Sequence, residues 1–353
     1  MRTRFSIISA VAVFAVAGGT WLGAQDGPYT QVGDILIGGP LPAQWDYLNV
    51  DPAGKRLYVS HGQAEAVVID TVTEKIVGRI ADTPGIHGIA IAPNGKGFTS
   101  NGRENKVSIF DLKTLATLSK VDTGGAGMNP DAILYEPKLK EIYAFNHTGK
   151  SAAVINADSG AVAAMIPLSG TAETGQSDPG LGRVFVNIQD KDAIDVIDVA
   201  THKVIATWPV APGDGPTGMA IDTAAHRLLV GAGKFMVMMD ATSGKVVASV
   251  PICSGTDATW FDPGTKLAFS SCRDGKITVA HVDGPDKMTV VQTITTAPGS
   301  KTMALDTVTH KLYVSGAKPM AADAGAAAPT AGRGRGPQND PNSFHVFVFG
   351  MKK

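Results

Sequence analysis

The sequence predicts an all-β protein, a seven-bladed β-propeller of four-stranded antiparallel blades whose last blade is closed by the N-terminal strand. Three observations predict it. A short apolar strand ending in a small or polar residue recurs seven times, and successive copies end 40, 45, 41, 45, 39 and 45 residues apart. Each copy sits among three further short apolar segments separated by Asp, Pro, Gly and Thr turns, and a unit of four strands every 40–45 residues is the signature of a propeller blade. The seventh copy is one segment short, while an orphan segment opens the chain.

The recurring strands are Leu57–His61, Gly97–Asn101, Ile142–Asn146, Arg183–Asn187, Leu228–Ala232, Leu267–Ser271 and Leu312–Gly316. An apolar segment and a turn precede each, as in Tyr47–Lys55. A third segment follows and closes on Asp or Asn in most copies, at Asp70, Asp111, Asn156, Asp198 and Asp240. A turn then leads into a fourth, as in Ile76–Ile80. Apolar spacing of three and four, which a helical solenoid needs, is absent outside the first residues. The orphan segment, residues 29–39, reads as a fourth strand for the seventh copy; pairing with Phe344–Phe349 leaves no open sheet edge at the join. A chain of 353 residues exceeds the ~250–300 at which a single core stops growing, and a ring of small cores resolves that difficulty.

The predicted division is a signal peptide at 1–25 and a single propeller at 26–353, with a disordered insert expected at 317–342 inside the last blade. Arg2 and Arg4 precede the apolar run Phe5–Gly23, and small residues follow at Gly23 and Ala24, where a peptidase could cut. The competing reading is an uncleaved anchor, because the run approaches the ~20 residues that span a bilayer. Export implies a periplasmic or secreted protein with no transmembrane segment once the signal is gone. Removing Arg2 and Arg4 from the 31 Lys and Arg leaves 29 against 32 acidic residues, a net charge of −3. Such a near-neutral chain has no bulk attraction for nucleic acid or an anionic membrane. The only two cysteines are Cys253 and Cys272. In an oxidising compartment they would form a disulfide, worth roughly 3 kcal/mol for a loop of about 20 residues. Two free thiols or part of a metal site remain the alternatives.

The motif Tyr58–His61 and its copies resemble the YVTN repeat of the YncE-like seven-bladed propellers. The stretch Asp257–Gly264, followed by Leu267–Gly275, is similar to exported bacterial members in particular. The likeness covers residues 29–353 and departs at Cys253, Cys272 and the last-blade insert. More distantly, the family is similar to the propeller domains of haem d1 nitrite reductase and nitrous oxide reductase, which implies a haem- or copper-linked redox partner as one reading. The resemblance implies the fold and no particular reaction, since propellers host unrelated functions.

Candidate site residues follow from the repeat. The position opening the first strand reads Asp46, His87, Asp131, Glu173, Thr217, Asp257 and Thr302. Sevenfold geometry aims these at one end of the central channel. The position ending the second strand reads His61, Asn101, Asn146, Asn187, Ala232, Ser271 and Gly316, with His147 one step further. The two rings are expected to share a face and to form a polar pocket for a small polar ligand, a protein partner or a divalent metal. Converging carboxylates and imidazole suit such an ion, held first by His87, Asp46 and Asp131. The competing explanation is that each polar residue caps its own turn. Two carboxylates of different pKa would also suit a metal-assisted lactonase, lyase or sugar-modifying enzyme. Trp45 is read as a stacking platform and Trp260 as core, while His202, His226 and His310 are read as solvated turn residues on the opposite face. Gly332–Gly336, inside the insert, reads as a basic arm or as part of a disordered loop. The chain is expected to work as a monomer.

Overall fold

The computed structural model describes residues 27–38, 45–61, 64–319 and 339–352. The expected export segment therefore lies outside the described residues, as do positions 320–338 of the insert. Strand extends into both ends of the 317–342 segment: one strand runs Lys311–Pro319, the next Asn339–Met351, and Pro319 pairs with Asn339.

Seven sheets of four antiparallel strands make the fold. Six are consecutive in the chain. The seventh joins Met303–Asp306, Lys311–Pro319 and Asn339–Met351 to the N-terminal strand Tyr29–Leu36. Tyr29 pairs with Met351 and Leu36 with His345, which is the expected closure. Gln292 of the sixth blade clamps that strand, its Oε1 accepting from Tyr29 N at 2.9 Å and its Nε2 donating to Tyr29 O at 2.8 Å.

The first strands are Leu48–Asp51, Ile86–Ile91, Pro130–Glu136, Ala172–Asp178, Pro216–Asp222, Thr256–Asp262 and Met303–Asp306. Each packs against the next, and the last packs against the first, so the ring is closed about a central axis. Crowding there explains the small residues: a Cβ on Gly218 would stand 2.5 Å from Thr259 N. The second strands are buried almost throughout because both of their faces are covered; Arg56–His61 is buried from Leu57 onward. The fourth strands alternate or face solvent, as in Lys75–Ile80.

Hydrophobic residues gather in seven clusters, and each cluster is shared by two neighbouring blades. Tyr58, Val68 and Ile80 of the first blade meet Ile89 and Phe110 of the second, for instance. No blade buries its own faces, so the array is stable only as a ring.

The recurring Asp or Asn that closes the third strand has a structural task. Asp70, Asp111, Asn156, Asp198 and Asp240 each accept hydrogen bonds from backbone N–H and from a hydroxyl two or three residues on, fixing the turn into the fourth strand. The residue before each second strand is left-handed: Lys55, Gly95, Lys140, Gly182, His226, Lys266 and His310. That backbone swings two of the turn histidines onto the preceding blade. His226 Nδ1 lies 2.6 Å from Asp178 Oδ2, and His310 Nδ1 lies 2.6 Å from Asp262 Oδ2. His202 reaches Glu141 in the same way, at 3.0 Å. The expectation of merely solvated turn histidines is corrected: they tether adjacent blades through buried carboxylates.

Candidate functional site

Two of the seven opening residues are spent locally, Thr217 donating to Gly215 O of its own turn and Thr302 pairing with Ser315 of its own blade, but the other five do not cap their turns. On one face of the ring, these five meet around the axis with Lys301 and His147. Asp46 Oδ2 lies 2.8 Å from His87 Nδ1, and the same nitrogen is 3.6 Å from Asp131 Oδ1. Asp131 Oδ2 lies 3.8 Å from His147 Nδ1, which stands 3.5 Å from Glu173 Oε1. Neighbouring blades thus contribute an alternating chain of carboxylate and imidazole. On the other side, Lys301 Nζ sits 2.6 Å from Asp257 Oδ2 and 3.6 Å from Asp46 Oδ1. Arg273 stands 3.6 Å from Asp257 at the outer edge.

Local structure explains the convergence. Asp46 N donates to Ser60 Oγ, and Gly88 N donates to Ser100 Oγ, so hydroxyls of the second strands take up the backbone groups beside Asp46 and His87. Their side chains are then left to face the axis. Room for the His87 ring comes from Gly102, where a Cβ would stand 2.8 Å from His87 Nε2.

Four carboxylates in this small volume face one partly buried lysine. Burial pushes Glu173 up to about 9, and the fields of Asp131, Asp257 and Asp46 add to it. Burial likewise raises Asp131 to about 6, with Asp46 adding and both imidazoles opposing. Burial raises Asp257 despite Lys301, whereas Asp46 is held below its ordinary value because hydrogen bonds from His87 and Lys301 outweigh burial. Burial works against charge on His87, but the hydrogen bond to Asp46 and the field of Asp131 override it, and its pKa is raised. The cluster is short of positive charge and makes up part of the deficit with protons.

Beneath the cluster, Tyr47 Oη approaches Glu173 Oε2 at 3.5 Å and Thr174 Oγ1 at 3.4 Å. It also lines a cavity of about 780 Å³ in the central channel, bounded by the first strands of the first four blades and by Trp260 of the sixth. Trp260, read as core, is only partly buried and donates to Met303 O at 2.8 Å, bridging two blades. Trp45 packs its ring on Phe344, 5.4 Å between centroids, and is not presented as an open platform.

The second predicted ring is spent on the fold. Asn101 donates to Glu104 and Ser108, Asn146 to Thr123 O and Ser151, and Asn187 to Thr217 O of the next blade. His61 packs on Phe344 and pairs with Glu65 at 3.2 Å. None of these four is brought into the cluster. Lys301 and Tyr47 were missed, because each stands one position from the opening residue of its strand. Four converging carboxylates were the available signal that a counter-cation had to be near. Cys253 and Cys272 form a disulfide, Cα atoms 5.8 Å apart, linking the approach to Asp257 with the strand beside it. The alternative of free thiols or metal ligands is thereby excluded.

No family model matches the chain, and no curated protein does. Among solved structures the fold is widespread, with 1849 chains matching, so shape by itself selects no activity. One of them, the structure titled "Kuenenia stuttgartiensis Hydrazine Synthase", is similar at a TM-score of 0.68 with 16% identity, over 85% of this chain and 96% of that one. At that identity the likeness establishes the β-propeller fold alone.

Proposed function

We propose that the chain is an exported binding propeller of the YncE-like kind, whose channel rim takes a divalent transition-metal ion on Asp46, His87 and Asp131 and presents it to a small polar ligand. The observation that carries this reading is that one ligand atom from each of the three lies within 4.8 Å of the other two. A mixed oxygen and imidazole set favours Zn²⁺, Mn²⁺, Co²⁺ or Ni²⁺ over an all-oxygen ion such as Ca²⁺. Supporting it, the cluster has more carboxylates than Lys301 can offset. The YVTN-like repeat, the disulfide and the charged N-terminal segment before an apolar run support export. No helix among the described residues is long and apolar enough to cross a membrane.

A metal-assisted hydrolase or lyase is the second reading. Glu173, held protonated near neutral pH beside carboxylates of lower pKa, is the donor half of an acid–base pair. Calorimetric titration of chelator-stripped protein with Zn²⁺ tests the shared premise. His87→Ala is expected to weaken binding by at least ~10-fold, given that even an outer partner's loss costs 10–100-fold. Equal binding by wild type and variant would contradict the assignment.

A further inference from the structure

Asp131 lies between two histidines and faces both. Its Oδ1 is turned to His87 and its Oδ2 to His147, at 3.6 and 3.8 Å. Beyond each histidine stands a further carboxylate, Asp46 on one side and Glu173 on the other. Two sets of three donors result, Asp46 with His87 and Asp131, and Asp131 with His147 and Glu173; in each, the donor atoms lie within 4.8 Å of one another. Asp131 is the one member that both sets share. Its Oδ1 is buried and has no hydrogen-bond partner among the described residues, which is a costly state for a carboxylate oxygen unless something else engages it.

We infer that the rim is a two-cation centre, with the Asp131 carboxylate bridging one divalent transition-metal ion on the Asp46–His87 side to a second on the His147–Glu173 side. The inference rests on the rim reading proposed above and extends it to a second site.

The spacing supports it. Oxygen and nitrogen donors sit about 2.0–2.2 Å from such ions, so two donors sharing one ion tetrahedrally stand roughly 3.4 Å apart. The observed separations of 2.8, 3.6, 3.8 and 3.5 Å bracket that value. Charge points the same way. Lys301 offsets Asp257 at 2.6 Å, leaving Asp46, Asp131 and Glu173 for the ions. Two divalent ions on three carboxylates leave a net charge of about +1, to be met by hydroxide or an anionic ligand on the channel axis. Ions bridged by one carboxylate lie about 3.5–4 Å apart, the separation at which paired metal ions act on one ligand.

The test is Mn²⁺ loading of the chelator-stripped mature protein, read by metal analysis after gel filtration and by electron paramagnetic resonance. Two ions per chain with a spin-coupled spectrum are expected. His147→Ala is expected to hold one ion with an uncoupled six-line spectrum, and Asp131→Asn to lose coupling; the near-isosteric Glu173→Gln, checked for its melting temperature, should weaken the second ion by more than ~10-fold. One ion in wild type, lost in His87→Ala and kept in His147→Ala, would overturn the second site while leaving the single-ion reading intact. Two uncoupled ions would overturn the bridge, and no ion at all would overturn both readings.

Discussion

Lys301→Met is the perturbation whose size the structure best defines. In the metal-free protein Lys301 is the cation inserted between Asp257 and Asp46, at 2.6 and 3.6 Å, and Asp257 is almost fully covered. Methionine keeps most of the side-chain volume and removes the charge, which leaves the buried Asp257 with only the largely exposed Arg273 at 3.6 Å. Breaking a buried pair in this way costs about 3–5 kcal/mol, and the lower end applies because Lys301 itself is 19% exposed. At about 2 °C per kcal/mol for a chain of this size, the melting temperature should fall by roughly 6 °C at pH 8. The dependence on pH has a definite sign. Asp257 is already raised by burial against the pull of Lys301, and removing that pull raises it further. A carboxyl that holds its proton more tightly folded than unfolded favours the folded state as pH falls, so the deficit should shrink from pH 8 toward pH 5. The assay is a set of thermal melts of chelated wild type, Lys301→Met and the double variant Lys301→Met/Asp257→Asn. The double variant should recover most of the loss, because no uncompensated charge then remains. A single variant melting within 1 °C of wild type at pH 8, or a deficit that grows on acidification, would refute the reasoning.

Three further outcomes follow from the same geometry. Gln292→Ala removes both partners of the buried Tyr29 peptide groups and should cost about 2–4 kcal/mol, with the N-terminal strand losing amide-exchange protection before any other; uniform loss around the ring would count against closure by that strand. Replacing Cys253 and Cys272 with alanine should cost about 3 kcal/mol in denaturant unfolding for a 19-residue separation, and no change would show that the bridge constrains little. At Asp240, partial burial is outweighed by hydrogen bonds from Thr242 and Ser243, which hold the carboxyl down at about 2. Its contribution is therefore full above ~4 and lost as pH falls toward 2, so Asp240→Asn, which retains the acceptor as Asn156 does in its own blade, should flatten that part of the acid-unfolding curve.

Fold and site were not equally readable from the chain. The period, the four segments per unit and the orphan strand are properties of local sequence, and each appears where the spacing places it. The inward ring was also accessible, because sevenfold repetition converts a position in the strand into a direction. Distinguishing fasteners from ligands was not. Asn101, Asn146 and Asn187 have the same polar character as the rim residues, yet Asn101 is taken up by Ser108 of its own hairpin, and Asn146 and Asn187 face carbonyls that only the packed blades bring near. The blade tethers were hidden for a related reason: His226 and His310 each reach an aspartate 48 residues earlier, at the end of the preceding blade's first strand. That shared offset is a signal a repeat alignment could recover. Lys301 carries no such mark, since a lone lysine in a loop reads as solvated until the carboxylates around it are placed.

What occupies the rim is the most direct observable. Crystals of the protein grown with Zn²⁺ or Co²⁺ and recorded at the metal's absorption edge would answer this with anomalous peaks. A peak within about 2.0–2.2 Å of Asp46, His87 and Asp131, joined by a second beside His147 and Glu173, is the predicted result. Edge data showing neither, with Lys301 and His87 still paired to their carboxylates at saturating metal, would contradict it.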